Sequence, residues 1–255
     1  MRAFLSKLWR VPATGFGFLV FFTGGILFRL CVFPSLNLFI SDARKRELKA
    51  RKVVQVSFAF FIRLLGWLQV LKLDLDPALK HRLSCESLFV CASHPTLIDV
   101  VILHGLIANA NCIVKAALTE SFALSSPVKA SGYIANDSGP ELIQACTRSL
   151  ALGDTLVVFP EGTRSVPGAE PRLHHGAASI ALESGRSITP VRITCTPPAL
   201  MKGIAWYQVP ERKMLISVRA LEDIDVAPFV ELEKELGRPI AVRRLTQELK
   251  KRLFA

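Results

Sequence analysis

The chain has 255 residues, 51% of them hydrophobic, and a formal net charge of +11. This length allows one domain with a full core, or a domain with an appendage, and the positive mean hydropathy is high for a freely soluble protein. The six cysteines are scattered without a Cys-x-x-Cys pair. They argue against a disulfide framework or a zinc site and indicate buried thiols in a reducing compartment.

The first fifth of the chain combines apolar runs with positive charge. Residues 11–28 are almost all apolar or small, a second apolar stretch covers 53–71, and six Lys or Arg lie between them in 42–52. Nucleic acid could explain the charge alone. An anionic membrane surface explains charge and apolarity together, since it attracts each nearby cation by roughly 1 kcal/mol. We therefore predict a lipid bilayer as a partner, and no nucleic acid.

Both apolar stretches are long enough to form membrane-spanning helices. Two spans with a cytoplasmic remainder would place the six-cation segment outside, against the positive-inside tendency. We therefore predict a two-helix motif over residues 1–70 that dips into one leaflet, with Arg29 and Arg63 reaching toward headgroups. A single span by the first helix is the alternative. Residues 71–255 would form the main domain.

From Leu71 onward, short apolar runs alternate with amphipathic stretches, which is typical of an α/β fold. We predict strands near 70–75, 87–92, 111–114, 133–136, 155–159, 188–195 and 213–220. We predict helices near 77–84, 96–108, 139–152, 175–185 and 239–253. The predicted fold class is α/β, with a mostly parallel or mixed central sheet flanked by helices and preceded by the membrane-associated helix pair.

The stretch Ser93 to Asp99 reads Ser-His-Pro-Thr-Leu-Ile-Asp and follows a predicted strand. Pro95 suits the first position of a helix, so we predict that a helix starts there. His94 and Asp99 would lie about 140° apart along a regular helix, so they meet only if His94 folds back over its first turn. A histidine held by a carboxylate is a general-base arrangement. A cap residue plus a first-turn acid is an equally good interpretation of this stretch alone.

Residues 155–165 read Thr-Leu-Val-Val-Phe-Pro-Glu-Gly-Thr-Arg-Ser, which predicts a buried strand running into a loop. Open α/β sheets bind ligands at the carboxyl ends of their strands. Glu161 can accept hydrogen bonds from hydroxyls, and Arg164 offers a planar fork for a phosphate or carboxylate. A simple turn with an Arg–Glu pair is the alternative.

Taken together, His94-x-x-x-x-Asp99 and Phe-Pro-Glu-Gly-Thr-Arg-Ser at 159–165 resemble the lysophospholipid acyltransferase family, best known for bacterial-type enzymes that acylate 1-acylglycerol-3-phosphate. The resemblance covers about residues 71–193. It implies direct transfer of an acyl group to the hydroxyl of a lysolipid acceptor. The donor would be a thioester co-substrate, acyl-CoA or acyl carrier protein, and no other cofactor is expected. The expected location is the cytoplasmic face of the bacterial inner membrane, with a monotopic or single-span attachment.

The resemblance also implies roles for residues. His94 would be the general base, and Asp99 would orient its ring and stabilise the imidazolium. Six further residues would bind the substrates or stabilise the oxyanion: Lys115, Glu161, Gly162, Thr163, Arg164 and Pro190. Among these, Lys115 and the Gly162 backbone N–H would serve the oxyanion. The other histidines lack metal-ligand spacing, so no metal is predicted.

The chain departs from the family pattern at Ser93, where asparagine is usual, and at Ser138. Many members with phosphate-bearing acceptors carry an arginine at the position of Ser138, which here also fits a capping box. Either Arg164 holds the phosphate together with a cation such as Lys129 or Arg172, or the acceptor has no phosphate there, as in lyso-ornithine lipids. A catalytically silent lipid-binding protein of the same fold is a further alternative.

Overall fold

The computed structural model of the chain describes residues 2–83, 87–136 and 139–255, and side chains from residue 7 onward except those of 139–140. Cys85 and Ser138, with its predicted capping box, lie outside the described residues. The helices are α1 (Arg2–Leu27), α2 (Phe33–Phe39), α3 (Ala43–Trp67), α4 (Pro77–Arg82), α5 (Asp99–Leu106), α6 (Ser125–Ala130), α7 (Gly139–Ala151), α8 (Gly176–Ser184), α9 (Ala227–Leu236) and α10 (Arg238–Phe254). The strands are β1 (Leu71–Leu75), β2 (Phe89–Ala92), β3 (Ala110–Lys115), β4 (Ile134–Asn136), β5 (Thr155–Val158), β6 (Ile188–Thr196) and β7 (Met214–Ala220).

The N-terminal helices form a hairpin. α1 continues through a π-helical segment, Phe28–Val32, into α2, next to Pro34, whose missing N–H interrupts the regular bonding pattern. α3 starts at the cap Asp42, whose side chain accepts the Lys45 N–H at 2.7 Å. Among the described residues, one helical segment, Lys7–Phe39, is long and apolar enough to cross a membrane by length and composition.

The sheet has seven strands in the order β1-β7-β6-β2-β5-β3-β4. All neighbouring strands are parallel except β6 and β7. The seven predicted strands and the mixed sheet are confirmed. The helices α6 and α9 were not predicted; α6 has only six residues, which include Ser-Ser-Pro and show no clear helical period.

Two apolar layers cover the sheet. The β2 side chains alternate: Val90 and Ala92 pack in a core with α3 and α5, whereas Phe89 and Cys91 pack in a core with α7, α8 and α10. All four are buried, as expected for a central parallel strand covered on both faces. The strands therefore hold their carboxyl ends rigidly between two helical layers.

A buried ion pair joins the N-terminal helices to the sheet. Arg51 on α3 lies 2.7 Å from Asp154, which precedes β5, and also donates to the carbonyl of Ser131 at 2.8 Å. Burial alone would raise the pKa of Asp154, but hydrogen bonds from Arg44, Arg51 and Ser149 lower it to about 2. The predicted division at residue 70 stays a prediction, and this pair crosses it.

Candidate active site

His94 and Asp99 meet at the carboxyl end of β2. The His94 Nδ1 lies 2.9 Å from Asp99 Oδ2, and the same oxygen accepts the Thr96 N–H at 2.6 Å. The Thr96 hydroxyl donates to the other oxygen, Oδ1. Because these donors hold a turn over residues 96–98, α5 begins at Asp99. The prediction that the helix starts at Pro95 is therefore wrong.

The pair is buried on the Asp99 side and accessible on the His94 side. The Asp99 side chain is 0% exposed and that of His94 is 16% exposed. Burial raises the pKa of Asp99, while the bonds from His94 and Thr96 oppose that shift. The His94 ring also packs against Phe159, with centroids 4.4 Å apart. When Nδ1–H donates to Asp99, the His94 Nε2 carries the lone pair that can accept a proton.

Glu161 joins the two sequence motifs. Its Oε1 accepts the His94 backbone N–H at 2.7 Å, and its Oε2 accepts the Ser165 hydroxyl at 2.7 Å. The Ser165 backbone N–H in turn donates to the His94 carbonyl at 2.8 Å. The Glu161 carboxylate is buried and both of its oxygens are engaged. Glu161 therefore contacts the main chain of His94 and the side chain of Ser165.

Gly162 and Thr163 follow in the same loop. Gly162 has φ +65°, a left-handed conformation that favours glycine, and an added Cβ would lie 2.9 Å from the His174 ring. Its N–H donates to the Phe159 carbonyl at 3.0 Å. The Gly162 N–H, which was predicted to stabilise the oxyanion, is thus already hydrogen-bonded within the turn. Thr163 is half-buried next to it.

Arg164 lies at the end of this loop and reaches toward the segment after β6. Its Nη1 donates to the carbonyls of Leu200 at 3.0 Å and Met201 at 3.3 Å. Within the described ranges, no carboxylate forms an ion pair with Arg164. No carboxylate of the described residues therefore neutralises its positive charge.

Lys115 and Pro190 occupy different parts of the sheet. Lys115 is exposed at the carboxyl end of β3, which is separated from β2 by β5. Two strand spacings place it roughly 10 Å from β2 along the same edge. Pro190 is instead buried as the third residue of β6, paired with Cys91. Pro190, which was expected to bind substrate, thus lies inside β6, and that strand continues to Thr196.

The sequence analysis missed three residues that support the base. Thr96 holds Asp99, Phe159 packs against the His94 ring, and Ser93 accepts the Ile193 N–H at 2.8 Å through its hydroxyl. The Thr96-x-x-Asp99 spacing, a capping-box pattern, is a signal that could have identified the first. The contacts of Phe159 and Ser93 are with residues distant in the chain, so no local sequence pattern predicts these contacts.

An apolar cavity of about 350 Å³ lies between α3, α4, α5 and β1. Its walls include Ile62, Leu79 and Ile102, and Arg63 and Lys80 also line it. Ile102 belongs to the same helix as Asp99, one turn further along. The cavity thus borders the helix that begins at the catalytic pair.

Comparisons with known proteins agree with this geometry. Residues 79–194 match the model of the family described as Acyltransferase. The chain also resembles the crystal structure of the 1-acyl-sn-glycerophosphate (LPA) acyltransferase PlsC from Thermotoga maritima. The TM-score is 0.66 and the sequence identity 22%, over 98% of this chain and 96% of that chain. At this identity the likeness establishes the fold.

The matched segment contains His94, Asp99, Glu161 and Arg164. The match of residues 79–194 to the Acyltransferase model, together with the shared fold, confirms the acyltransferase resemblance seen in the motifs.

Proposed function

We propose that this acyltransferase transfers a fatty acyl group from a thioester, acyl-CoA or acyl carrier protein, to the hydroxyl of a lysolipid at a membrane surface. The preferred acceptor would be anionic and similar to 1-acylglycerol-3-phosphate. One observation carries the proposal: His94 Nδ1 lies 2.9 Å from a fully buried Asp99 at the carboxyl edge of the sheet. This is the arrangement of an oriented general base.

In the proposed reaction, the acceptor oxygen attacks the thioester carbonyl carbon while His94 Nε2 takes the hydroxyl proton. The Asp99 carboxylate stabilises the resulting imidazolium through Nδ1. The tetrahedral intermediate then breaks its C–S bond, and the departing thiolate takes the proton from His94. The products are an ester and a free thiol, and His94 returns to its neutral form. No group on the protein is acylated in this scheme.

Positive charge at the same edge supports an anionic acceptor. Arg164 has five N–H donors in its guanidinium, and the bonds seen among the described residues involve only Nη1. The remaining donors suit a phosphate or carboxylate. Lys115 would stabilise the oxyanion or the headgroup from the end of β3. Thr163, half-buried in the loop, would contact the acceptor alongside Arg164.

The N-terminal helices support attachment to a bilayer. The exposed apolar side chains along α1 and α2 include Leu8, Trp9, Phe16, Leu19, Phe22, Leu27, Leu30, Leu38 and Phe39. On α3, Phe60 and Trp67 are exposed and in edge-to-face contact. Aromatic residues of this kind favour the membrane–water interface. We propose attachment at the cytoplasmic face, by dipping into one leaflet or by a single span.

The apolar cavity offers a place for the acyl chain. Its volume lies within the range of about 300–1,000 Å³ typical of small-molecule sites, and Ile102 and Leu106 bring its wall onto α5. From Asp99, Leu106 is about 10 Å along the helix axis. An extended acyl chain attached near His94 spans that distance. We therefore propose that the cavity receives the end of the acyl chain.

The test is an acyl-transfer assay with purified protein in mixed micelles. Acyl-CoA and acyl carrier protein would each be offered with lysophosphatidate, with a zwitterionic lysophospholipid and with lyso-ornithine lipid. We expect the fastest turnover with lysophosphatidate, and none with His94→Ala. Preference for lyso-ornithine lipid would favour the acceptor class suggested by Ser138. Lipid binding without turnover of any acceptor would instead indicate a silent lipid-binding protein.

A further inference from the structure

The segment between β6 and β7, residues 197–213, lies at the edge of the sheet that holds His94. We call it the β6–β7 loop. On its active-site side, the Leu200 carbonyl accepts the Arg164 Nη1 at 3.0 Å and also the backbone N–H of Leu97 at 3.0 Å. Leu97 belongs to the turn between His94 and Asp99. A single carbonyl thus contacts both the candidate acceptor-binding arginine and the catalytic turn.

On its other side, the β6–β7 loop rests on α1. The Trp206 ring meets Phe18 edge to face at 5.7 Å, and a Cβ added at Gly15 would lie 3.3 Å from that ring. Arg10 of α1, nearly buried, donates to the Pro210 carbonyl at 2.9 Å. The space left between α1 and the loop, which Val70 and Met214 also line, measures only about 10 Å³. The two surfaces are therefore in close contact.

The Leu200 carbonyl, which accepts the hydrogen bond from Arg164, belongs to a residue with an unfavourable backbone conformation. Leu200 has φ +54°, in the left-handed region that branched L-residues rarely adopt. Such a residue persists only where its surroundings fix it. The strands β6 and β7 fix the two ends of the loop, while α1 contacts its later part through Trp206 and Arg10. Loss of that contact leaves the position of Leu200 less restrained.

We infer that Trp206 is a positioning residue: by seating the β6–β7 loop on α1, it sets the place of the Arg164 guanidinium and so the affinity for the acceptor headgroup. This inference rests on the function proposed above. It links the helix that we propose to contact the membrane with acceptor binding. Trp206 reaches the acceptor through Arg164, so it should influence acceptor binding more than the chemical step.

The experiment compares Trp206→Ala with Trp206→Phe and with Leu236→Ala. Leu236 is the control, since it is an exposed apolar residue on α9, outside both the loop and the N-terminal hairpin. We expect Trp206→Ala to raise the KM for lysophosphatidate about tenfold, as for one misplaced charged hydrogen bond. The kcat and the KM for the thioester should stay within about twofold, Trp206→Phe should restore the KM, and Leu236→Ala should leave it unchanged.

A double-mutant cycle tests the route through Arg164. In an Arg164→Ala background, Trp206→Ala should change the acceptor KM no further, whereas additive effects would overturn the inference. An equal fall in kcat for Trp206→Ala, or an equal KM rise for Leu236→Ala, would also overturn it. Gly15→Leu, which displaces the Trp206 ring from the side of α1, should reproduce the KM rise if Trp206→Ala fails to fold.

Amide hydrogen exchange separates this inference from the proposed function. Trp206→Ala should accelerate exchange of the Leu97 N–H, which donates to the Leu200 carbonyl, relative to wild type and to Leu236→Ala. If the wild type turns over no lysolipid but this exchange still accelerates, the proposed function fails and the coupling stands. If lysolipid is turned over and the exchange is unchanged, the coupling fails alone.

Discussion

The side chain of Glu161 holds the main chain of His94: its Oε1 oxygen accepts the His94 N–H at 2.7 Å. The two residues lie on loops that follow neighbouring parallel strands, β2 and β5. The second Glu161 oxygen is held by Ser165, whose own N–H returns to the His94 carbonyl. The loop after β5 therefore holds both the backbone N–H and the backbone carbonyl of His94, the proposed general base.

This geometry predicts that Glu161 affects the rate more than acceptor binding. Glu161→Ala leaves the buried His94 N–H without an acceptor, at a cost of about 1–3 kcal/mol, and shifts the base. We expect kcat to fall by roughly 10–100-fold with little change in the acceptor KM. Glu161→Gln, which keeps an oxygen acceptor, should retain most activity. A KM rise for the acceptor with unchanged kcat would instead support the substrate-binding role predicted from the sequence.

The catalytic pair gives a second prediction. His94→Ala removes the base and should lower kcat by about 10²–10⁴-fold. Asp99→Asn should lower kcat by a comparable factor, because an amide that donates to Nδ1 stabilises the wrong tautomer. Steady-state kinetics at saturating acceptor would measure both. His81→Ala on α4 is the control, and it should behave as wild type. Activity retained in His94→Ala would remove the proposed mechanism.

Stability in acid should depend on His104. Burial lowers the pKa of His104 to about 4 from its usual 6.5. The unfolded state thus binds the proton first as pH falls, and folding loses stability between pH 6.5 and about 4. The loss should approach 3 kcal/mol at about 1.4 kcal/mol per pH unit. Denaturant titrations of His104→Phe in detergent should show a flatter pH dependence over this interval.

Asp154 should affect the stability over a lower pH range than His104 does. Its pKa is lowered from 3.8 to about 2, so its contribution is present above pH 4 and is lost as pH falls toward 2. The linked stability amounts to about 2 kcal/mol. An unchanged slope between pH 6.5 and 4 in His104→Phe would contradict the assignment to His104.

The apolar cavity predicts a change in acyl-chain selectivity. Ile102→Phe or Leu106→Phe adds side-chain volume at the wall of the cavity on α5. Both variants should therefore shift the preferred thioester toward shorter acyl chains, by several-fold in relative kcat/KM. A series of saturated acyl-CoA donors would measure this. Leu152→Phe, at an exposed position after α7, is the control. Unaltered selectivity in both cavity variants would place the acyl chain elsewhere.

Local patterns were sufficient to predict the seven strands. β2 is a short, wholly apolar run and β5 is apolar after Thr155; both are bounded by turn residues, and all four side chains in each are buried. The approach of His94 to Asp99 was one of two equally good interpretations of that stretch, and it required the histidine to lie outside the helix.

Contacts between distant segments could not be predicted from local patterns. The Glu161 side chain is of the type that could bind the hydroxyls of an acceptor substrate. Its partners are instead the backbone N–H of His94 and the hydroxyl of Ser165. The helix start moved from Pro95 to Asp99 because three donors converge on one carboxylate. Proline preference is a weak local term, and it was outweighed by that buried hydrogen-bond network.

The Arg51–Asp154 pair has a consequence for the order in which the protein assembles. Asp154 is buried beside α3, but it is synthesised long after that helix. Arg51 therefore has no ion pair with Asp154 until the middle of the sheet has been synthesised. A chain shortened to begin after α3 would bury Asp154 without either of its arginines. The centre of the sheet thus depends on the N-terminal hairpin for the charges that neutralise its buried carboxylate.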